Sequence, residues 1–232
     1  MCVLLAIMYP ILVVVILLNN ENLIKKCHAV PPFFAKMMLW SWGVRFEFHN
    51  KEIIDKQKQF IFISNHRSYL DALVAGVSID NYTKFLGKAE ILNWPVFGFL
   101  LKHFYIPVWR NDKQHRAWSM EQMEEKIAGG YSIFICPEGT CNTTTDFFTR
   151  FYDGAFKLAA ESKINLVPLT FIATGELMPR NDLLLIPGKV SVFFHEPIPY
   201  SEIDLNDLEK IKVRVQEIMR NDLLKYYPSG HF

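Results

Sequence analysis

The chain of 232 residues predicts an α/β protein, a mixed β-sheet flanked by helices, with an apolar helical membrane anchor at its amino end. Three observations carry that expectation. After residue 43, short β-branched and aromatic runs alternate with longer stretches of helical character, the pattern of a sheet layered with helices. The run Phe-Ile-Phe-Ile-Ser at 60–64 is apolar almost throughout, like a strand covered on both faces. Residues 1–18 carry no charge at all, a length at the lower limit for crossing a hydrocarbon layer of about 30 Å.

Taken in order, the elements divide the chain into a membrane-anchoring helical segment at 1–43 and one domain at 44–232. No basic residue precedes the first apolar run, as one would in a secretory signal; Lys25 and Lys26 follow it, which assigns that end to the cytoplasm. A second apolar stretch, 30–44, is too short to span. Pro31 and Pro32 suit a helix start, and Trp40 and Trp42 have the amphipathic rings that settle at headgroup depth, so an interfacial helix is expected. The alternative for both segments is a buried core helix. Residues 44–49 alternate like a half-buried strand. Further strands are expected at 60–64, 84–87, 104–109, 132–137, 165–173 and 189–196, and helices at 68–78, 89–103, 113–128, 154–163 and 204–226. Gly129-Gly130 fits a helix C-cap, and 140–150 reads as a polar loop ending in aromatics.

Half the residues are apolar and 14% aromatic, enough for a sizeable core in one domain. A net charge of +1 gives no general field for a polyanion, so nucleic acid is not an expected partner. Cys2, Cys27, Cys136 and Cys141 form no C-x-x-C pair and are read as reduced thiols. Neither they nor the histidines have ligand-like spacing, and no metal is expected. G-x-S-x-G, H-E-x-x-H and P-loop signatures are also absent.

Two strand ends carry the candidate chemistry. The apolar run 60–64 gives way at Asn65-His66 to a helix, the place where α/β sheets put their ligands. Asp71 lies five residues on. Within one regular helix that spacing would leave the two side chains roughly 140° apart. With His66 on the turn before the helix, Asp71 in the first turn could instead bond one ring nitrogen, fix the tautomer and leave the other nitrogen as a base. Ser68 to Asp71 also has capping-box spacing, a purely structural use of the same aspartate. The second strand end is Pro137-Glu138-Gly139-Thr140, where a proline stops the ladder and a carboxylate, a glycine and a hydroxyl follow. Two such ends in one small domain point to a shared pocket.

Together these residues resemble the glycerolipid acyltransferases typified by 1-acylglycerol-3-phosphate acyltransferase. The Asn-His-x4-Asp motif is present as Asn65, His66 and Asp71, and the Phe-Pro-Glu-Gly-Thr motif as 136–140 with Cys136 in place of phenylalanine. Lys88, Pro95, Gly98 and Arg110 match a second motif, and Val167, Pro168 and Leu169 a fourth. The order and spacing agree over roughly residues 40 to 200. The resemblance implies that His66, oriented by Asp71, acts as general base on an acceptor hydroxyl, with Asn65, Lys88, Arg110, Glu138, Gly139 and Thr140 binding the acceptor. It also implies an acyl-CoA or acyl carrier protein donor, membrane lipids as partners, work at the cytoplasmic membrane face, and no cofactor. Lysophosphatidate is the leading acceptor. Two departures open another lysolipid or an amino-acid lipid: Cys141 follows Thr140 where the family commonly has arginine or serine, and Tyr152 replaces a lysine credited with phosphate contact. Arg150 could compensate, while Asp153 opposes an anion. A non-catalytic lipid-binding relative is the remaining alternative.

Overall fold

The computed structural model describes residues 30–93, 98, 102–109, 113–179 and 184–232. The first apolar run, Pro95 and Arg110 lie outside them. Among the described residues, no helix is long and apolar enough to cross a membrane.

The elements are α1 (Val30–Ser41), β1 (Val44–His49), β2 (Ile61–Ser64), α2 (Leu70–Ser78), β3 (Thr83–Lys88), β4 (Tyr105–Val108), α3 (Lys113–Ala128), β5 (Ser132–Ile135), α4 (Gly154–Ser162), β6 (Leu166–Ile172), α5 (Thr174–Leu177), β7 (Gly188–Phe194) and α6 (Leu208–Tyr226). Their seven strands form one sheet in the order β1-β7-β6-β2-β5-β3-β4. The five strands from β6 to β4 run parallel, while β7 is antiparallel to β6 and β1 parallel to β7. The mixed sheet expected from the sequence is therefore present.

Alternation of side chains along each central strand builds two cores. Phe62, Phe134, Val167, Leu169 and Phe171 point to one face and pack under α2 and α1. Ile61, Ile63, Ile133, Ile135 and Leu166 point to the other, under α3, α4 and α6. Phe62 and Ile63 are fully buried on opposite faces, each contributing about 1.5–3 kcal/mol of hydrophobic stabilisation. Leu39 of α1 is also fully buried in the first core, so α1 packs into the same body as the residues beyond the expected boundary at 43/44. Its outer face presents Phe33 and Trp40 to solvent.

Differences from the expected elements are local. The stretch 89–103 begins as a 3-10 helix, Ala89–Asn93, and 102–104 is a turn. Gly98 is helical, and the other residues between 93 and 102 lie outside the described ones. Helix α6 starts four residues late because Asp204 accepts the Asn206 N–H in an Asx-turn first. The 3-10 turns Lys51–Ile53 and Tyr200–Glu202 and helix α5 are too short to leave a period. Conversely, α3 closes as expected: Tyr131 N–H donates to the Lys126 carbonyl and Gly130 N–H to that of Ile127, a Schellman cap.

One consequence of this topology positions the site. From β2 the chain crosses by α2 on one face towards β3; from β5 it crosses by α4 on the other face towards β6. The loops leaving the carboxyl ends of these adjacent strands therefore part, opening a crevice at the sheet rim. His66 follows β2 and Glu138 follows β5.

Candidate active site

Asp71 resolves the question its spacing raised by doing both jobs. Its Oδ2 accepts from His66 Nδ1, from Arg67 N–H and from Ser68 N–H, each at 2.8 Å. The Ser68 hydroxyl accepts the Leu70 N–H at 3.0 Å and donates to the Met178 carbonyl at 2.5 Å. From the first turn of α2 the carboxylate thus ties down the backbone that leads into the helix and orients the imidazole with one oxygen. It is wholly buried, and its Oδ1 has no hydrogen-bond partner among the described residues, so Oδ2 carries the compensation for burial. Helix α2 begins at Leu70 rather than 68, with Tyr69 at its N-cap position, after a turn in which the Ser68 hydroxyl accepts the Leu70 N–H.

With Nδ1 engaged by a carboxylate, Nδ1 is the protonated nitrogen and Nε2 carries the free lone pair in the neutral ring. Burial works against the imidazolium, yet the Cys136 sulfur, the Asp71 hydrogen bond and the Cys141 sulfur outweigh it and hold His66 well above the ordinary histidine value. Such a base is a strong proton acceptor.

The loop after β5 holds His66 by its backbone. Glu138 Oε1 accepts the His66 N–H at 2.8 Å, and the Asn142 N–H donates to the His66 carbonyl at 2.6 Å. Glu138 Oε2 accepts both the N–H and the hydroxyl of Thr149, at 2.9 and 2.8 Å. Burial raises the Glu138 pKa, opposed by these donors. Gly139 sits at φ +68, and an added Cβ would lie 3.2 Å from the Tyr152 ring. Thr140 is exposed at the tip.

Two of the residues expected to bind the acceptor have their polar atoms engaged by the protein. Asn65 is completely buried; its Nδ2 donates to the Phe171 carbonyl at 2.9 Å and its Oδ1 accepts the Phe171 N–H at 2.8 Å. It extends the β2–β6 ladder past Ser64. Glu138, with both oxygens taken by the protein, ties two loops together. In both, the polar side-chain atoms are already bonded within the protein. Lys88 ends β3 at the same rim and pairs with Glu90 at 3.3 Å, both largely exposed. Arg110 lies outside the described residues. The fourth motif is buried in β6, where Pro168 is opposite Ile63 and Leu169 opposite Ser64.

Sequence reasoning passed over two contributors. Arg67 Nη1 donates to the carbonyls of Asn142 and Thr144, at 3.1 and 2.6 Å, and its guanidinium lies 4.0 Å from the Phe232 ring centroid. Adjacency to His66 was the only signal. Cys141 was read only as a reduced thiol and a departure from the family pattern, yet its Sγ is 3.3 Å from His66 Nε2. Among the described residues no group of three or more potential ligands could hold a metal.

Comparison with known proteins finds related sequences and a shared fold. The acyltransferase family model covers residues 45–172, more than half the chain. A chloroplast 1-acyl-sn-glycerol-3-phosphate acyltransferase of Brassica napus is 33% identical over 147 residues, covering 62% of this chain and 42% of that protein. The chain thus spans less than half the length of that relative. A Caenorhabditis elegans protein named for the same acyltransferase is 32% identical over 186 residues, 79% of this chain and 70% of its own. The crystal structure of the 1-acyl-sn-glycerophosphate acyltransferase of Thermotoga maritima shares the fold, with TM-score 0.77 over 89% of this chain and 82% of that one at 20% identity.

Proposed function

The chain belongs to the acyltransferase family, and on that premise we propose that it moves a fatty acyl group from an acyl thioester to the free hydroxyl of 1-acyl-sn-glycerol-3-phosphate. The donor is acyl-CoA or acyl carrier protein. His66 Nε2 takes the acceptor's hydroxyl proton as the oxygen attacks the thioester carbonyl; the C–S bond then breaks, and the imidazolium returns a proton to the leaving thiolate. Asp71 keeps Nε2 free and stabilises the imidazolium through Nδ1. Positioned proton transfer of this kind contributes about a hundred- to ten-thousandfold. The observation that carries the reading is the 2.8 Å bond between His66 Nδ1 and a fully buried Asp71 at the sheet rim. The names of the relatives support the acceptor.

Lys88, the last residue of β3, and Arg110, two residues past the end of β4 in the sequence, serve as the cations for the acceptor's phosphate. Thr140, exposed in the loop after β5, offers a hydroxyl, and Gly139 allows close approach. The apolar run 1–18, with Lys25 and Lys26 behind it and the outward Phe33 and Trp40 of α1, attaches the enzyme to the cytoplasmic face of the membrane that supplies the lipid.

A second acceptor class is favoured by one observation. Tyr152, 58% exposed, covers Gly139 where a lysine is usual, and Arg150 leans on its ring at 5.8 Å. An aromatic there suits an acceptor without a phosphate. An acceptor panel with the full chain in detergent decides: lysophosphatidate, other lysophospholipids, monoacylglycerol and an amino-acid lipid, each with acyl-CoA and acyl carrier protein. Preferred turnover of lysophosphatidate, lost in His66→Ala, is expected. Preferred turnover of a phosphate-free acceptor would replace the reading, and turnover unchanged in His66→Ala would refute the role of His66.

A further inference from the structure

The loop that holds His66 has almost no secondary structure of its own. From Thr140 to Arg150 it contains no helix and a single isolated bridge, so its backbone carbonyls need partners from elsewhere. Two residues supply three of those partners. Arg67 Nη1 donates to the carbonyls of Asn142 and Thr144 at 3.1 and 2.6 Å, and the Phe232 N–H donates to that of Thr145 at 3.0 Å. The same two residues meet, with the Arg67 guanidinium over the Phe232 ring, 4.0 Å from its centroid.

The segment after α6 is shaped to reach this place. Pro228 and Gly230 take the second and fourth positions of a turn closed by the Gly230 N–H on the Tyr227 carbonyl at 3.0 Å. The turn reverses the chain, and His231 pairs antiparallel with Asp146. Phe232 then packs against Phe147 and Tyr227, with ring centroids 5.3 and 4.9 Å away. Phe147 is fully buried with Ile172 of β6 and Leu223 of α6, and the Tyr227 hydroxyl accepts the Ala173 N–H at 3.3 Å. The ring beneath Arg67 is thereby anchored to the body of the protein.

Resting on the acyltransferase reading, we propose that Phe232 and Arg67 form a strap that positions the general base. The ring holds the guanidinium, the guanidinium holds the backbone of 142–144, and the Asn142 N–H holds the His66 carbonyl at 2.6 Å. Both are positioning residues that act through His66. Arginine suits the task because its planar group lies on an aromatic face while donating in its own plane to two carbonyls. Asp71 sets the tilt of the imidazole from α2, and the strap sets the backbone of the same residue from the opposite loop. A misplacement of about 1 Å at a reacting group costs on the order of a hundredfold, so a loosened strap shows in the rate while the two cores stay folded.

The test uses the full chain in detergent with the preferred acceptor of the panel. The readouts are kcat and KM, a melting curve, and hydrogen exchange at the Asn142 amide. Phe232→Leu keeps an apolar side chain and removes the aromatic face. Its kcat should fall about tenfold, the rate equivalent of one partly desolvated cation–π contact, with KM for the acceptor unchanged. Exchange at Asn142 should quicken, and Phe232→Tyr should restore both values. Arg67→Met, which keeps the stem and removes the donors, should fall at least as far, and adding Phe232→Leu to it should cost nothing more. Successively fluorinated phenylalanines at 232 weaken the negative face of the ring at nearly constant shape, so kcat should step down along that series even where Phe232→Leu does not fold.

Wild-type kcat in Phe232→Leu, a flat fluorine series or additive losses in the double variant overturns the strap and leaves the acyltransferase reading intact. So does a loss of turnover that follows the melting curve with Asn142 exchange unchanged. Should the wild type turn over no acceptor, the exchange measurement still decides: faster exchange in Phe232→Leu sustains the strap while the acyltransferase reading fails, and unchanged exchange refutes both.

Discussion

Replacing Asp71 by asparagine separates its two roles, because they respond on different scales. An asparagine carbonyl in the place of Oδ2 can still accept from Arg67 N–H and Ser68 N–H, now as a neutral acceptor. Bonds to a charged acceptor are worth about 1.5–3 kcal/mol and neutral ones about 0.5–1.5, so the two backbone bonds together weaken by about 2 kcal/mol. Removing a buried charge offsets part of that. The effect on catalysis is larger. As His66 takes a proton it loses an attractive partner, and two unit charges about 4 Å apart at an effective dielectric of about 20 interact by roughly 4 kcal/mol. That corresponds to about a thousandfold in rate. The measurements are kcat for the panel's acceptor, a melting curve, and the pH dependence of kcat/KM.

The direction with pH follows from His66. In the wild type its pKa is raised, so activity is low while the ring is protonated and climbs through a limb above the ordinary histidine range. The hydrogen bond to Asp71 is one of the groups raising it, so in Asp71→Asn the limb moves to lower pH. The rate deficit is then smallest at acidic pH. Stability behaves in the matching sense: a raised folded pKa contributes stability fully below the unfolded pKa and loses it as pH rises through the folded value. The difference in melting temperature should therefore narrow as pH rises. A variant that melts lower but keeps kcat within about threefold, with an unmoved limb, would reduce Asp71 to a helix cap and refute the dyad.

Two further substitutions test the loop that holds His66. Glu138→Gln has one acceptor oxygen where the wild type uses two, so either His66 N–H or Thr149 N–H faces an amide donor. A melting curve should show a loss of about 1–3 kcal/mol, with kcat falling as the His66 backbone loosens; an unchanged melt would contradict the positioning role. Gly139→Ala should cost about 1–2 kcal/mol for the left-handed backbone, plus the contact with Tyr152 at 3.2 Å. In denaturant titrations, adding Tyr152→Ala should restore only the steric part; complete restoration would show that the backbone carries no strain.

The sequence by itself determined what local pattern can encode. The apolar strand that ends at 64 and the one that starts at 132, the cap of α3, and Asp71 within reach of His66 were all readable, because each depends on residues a few positions apart. Even the two competing readings of Asp71 were legible, and one oxygen fulfils both. Tertiary structure decided everything that joins distant strands. Glu138 meets His66 across 72 residues and Asn65 meets Phe171 across 106, because β2 lies between β5 and β6. No period or spacing records that neighbourhood. For the same reason the sequence pointed to Asn65 and Glu138 but not to the partners that engage their polar atoms, the Phe171 backbone for one and His66 and Thr149 for the other. Nor did it show that Cys141, 75 residues beyond His66, rests against the base. Strand order is fixed by burying two apolar faces at once, a condition on the whole chain, and it is this order that turns two separate strand ends into one site.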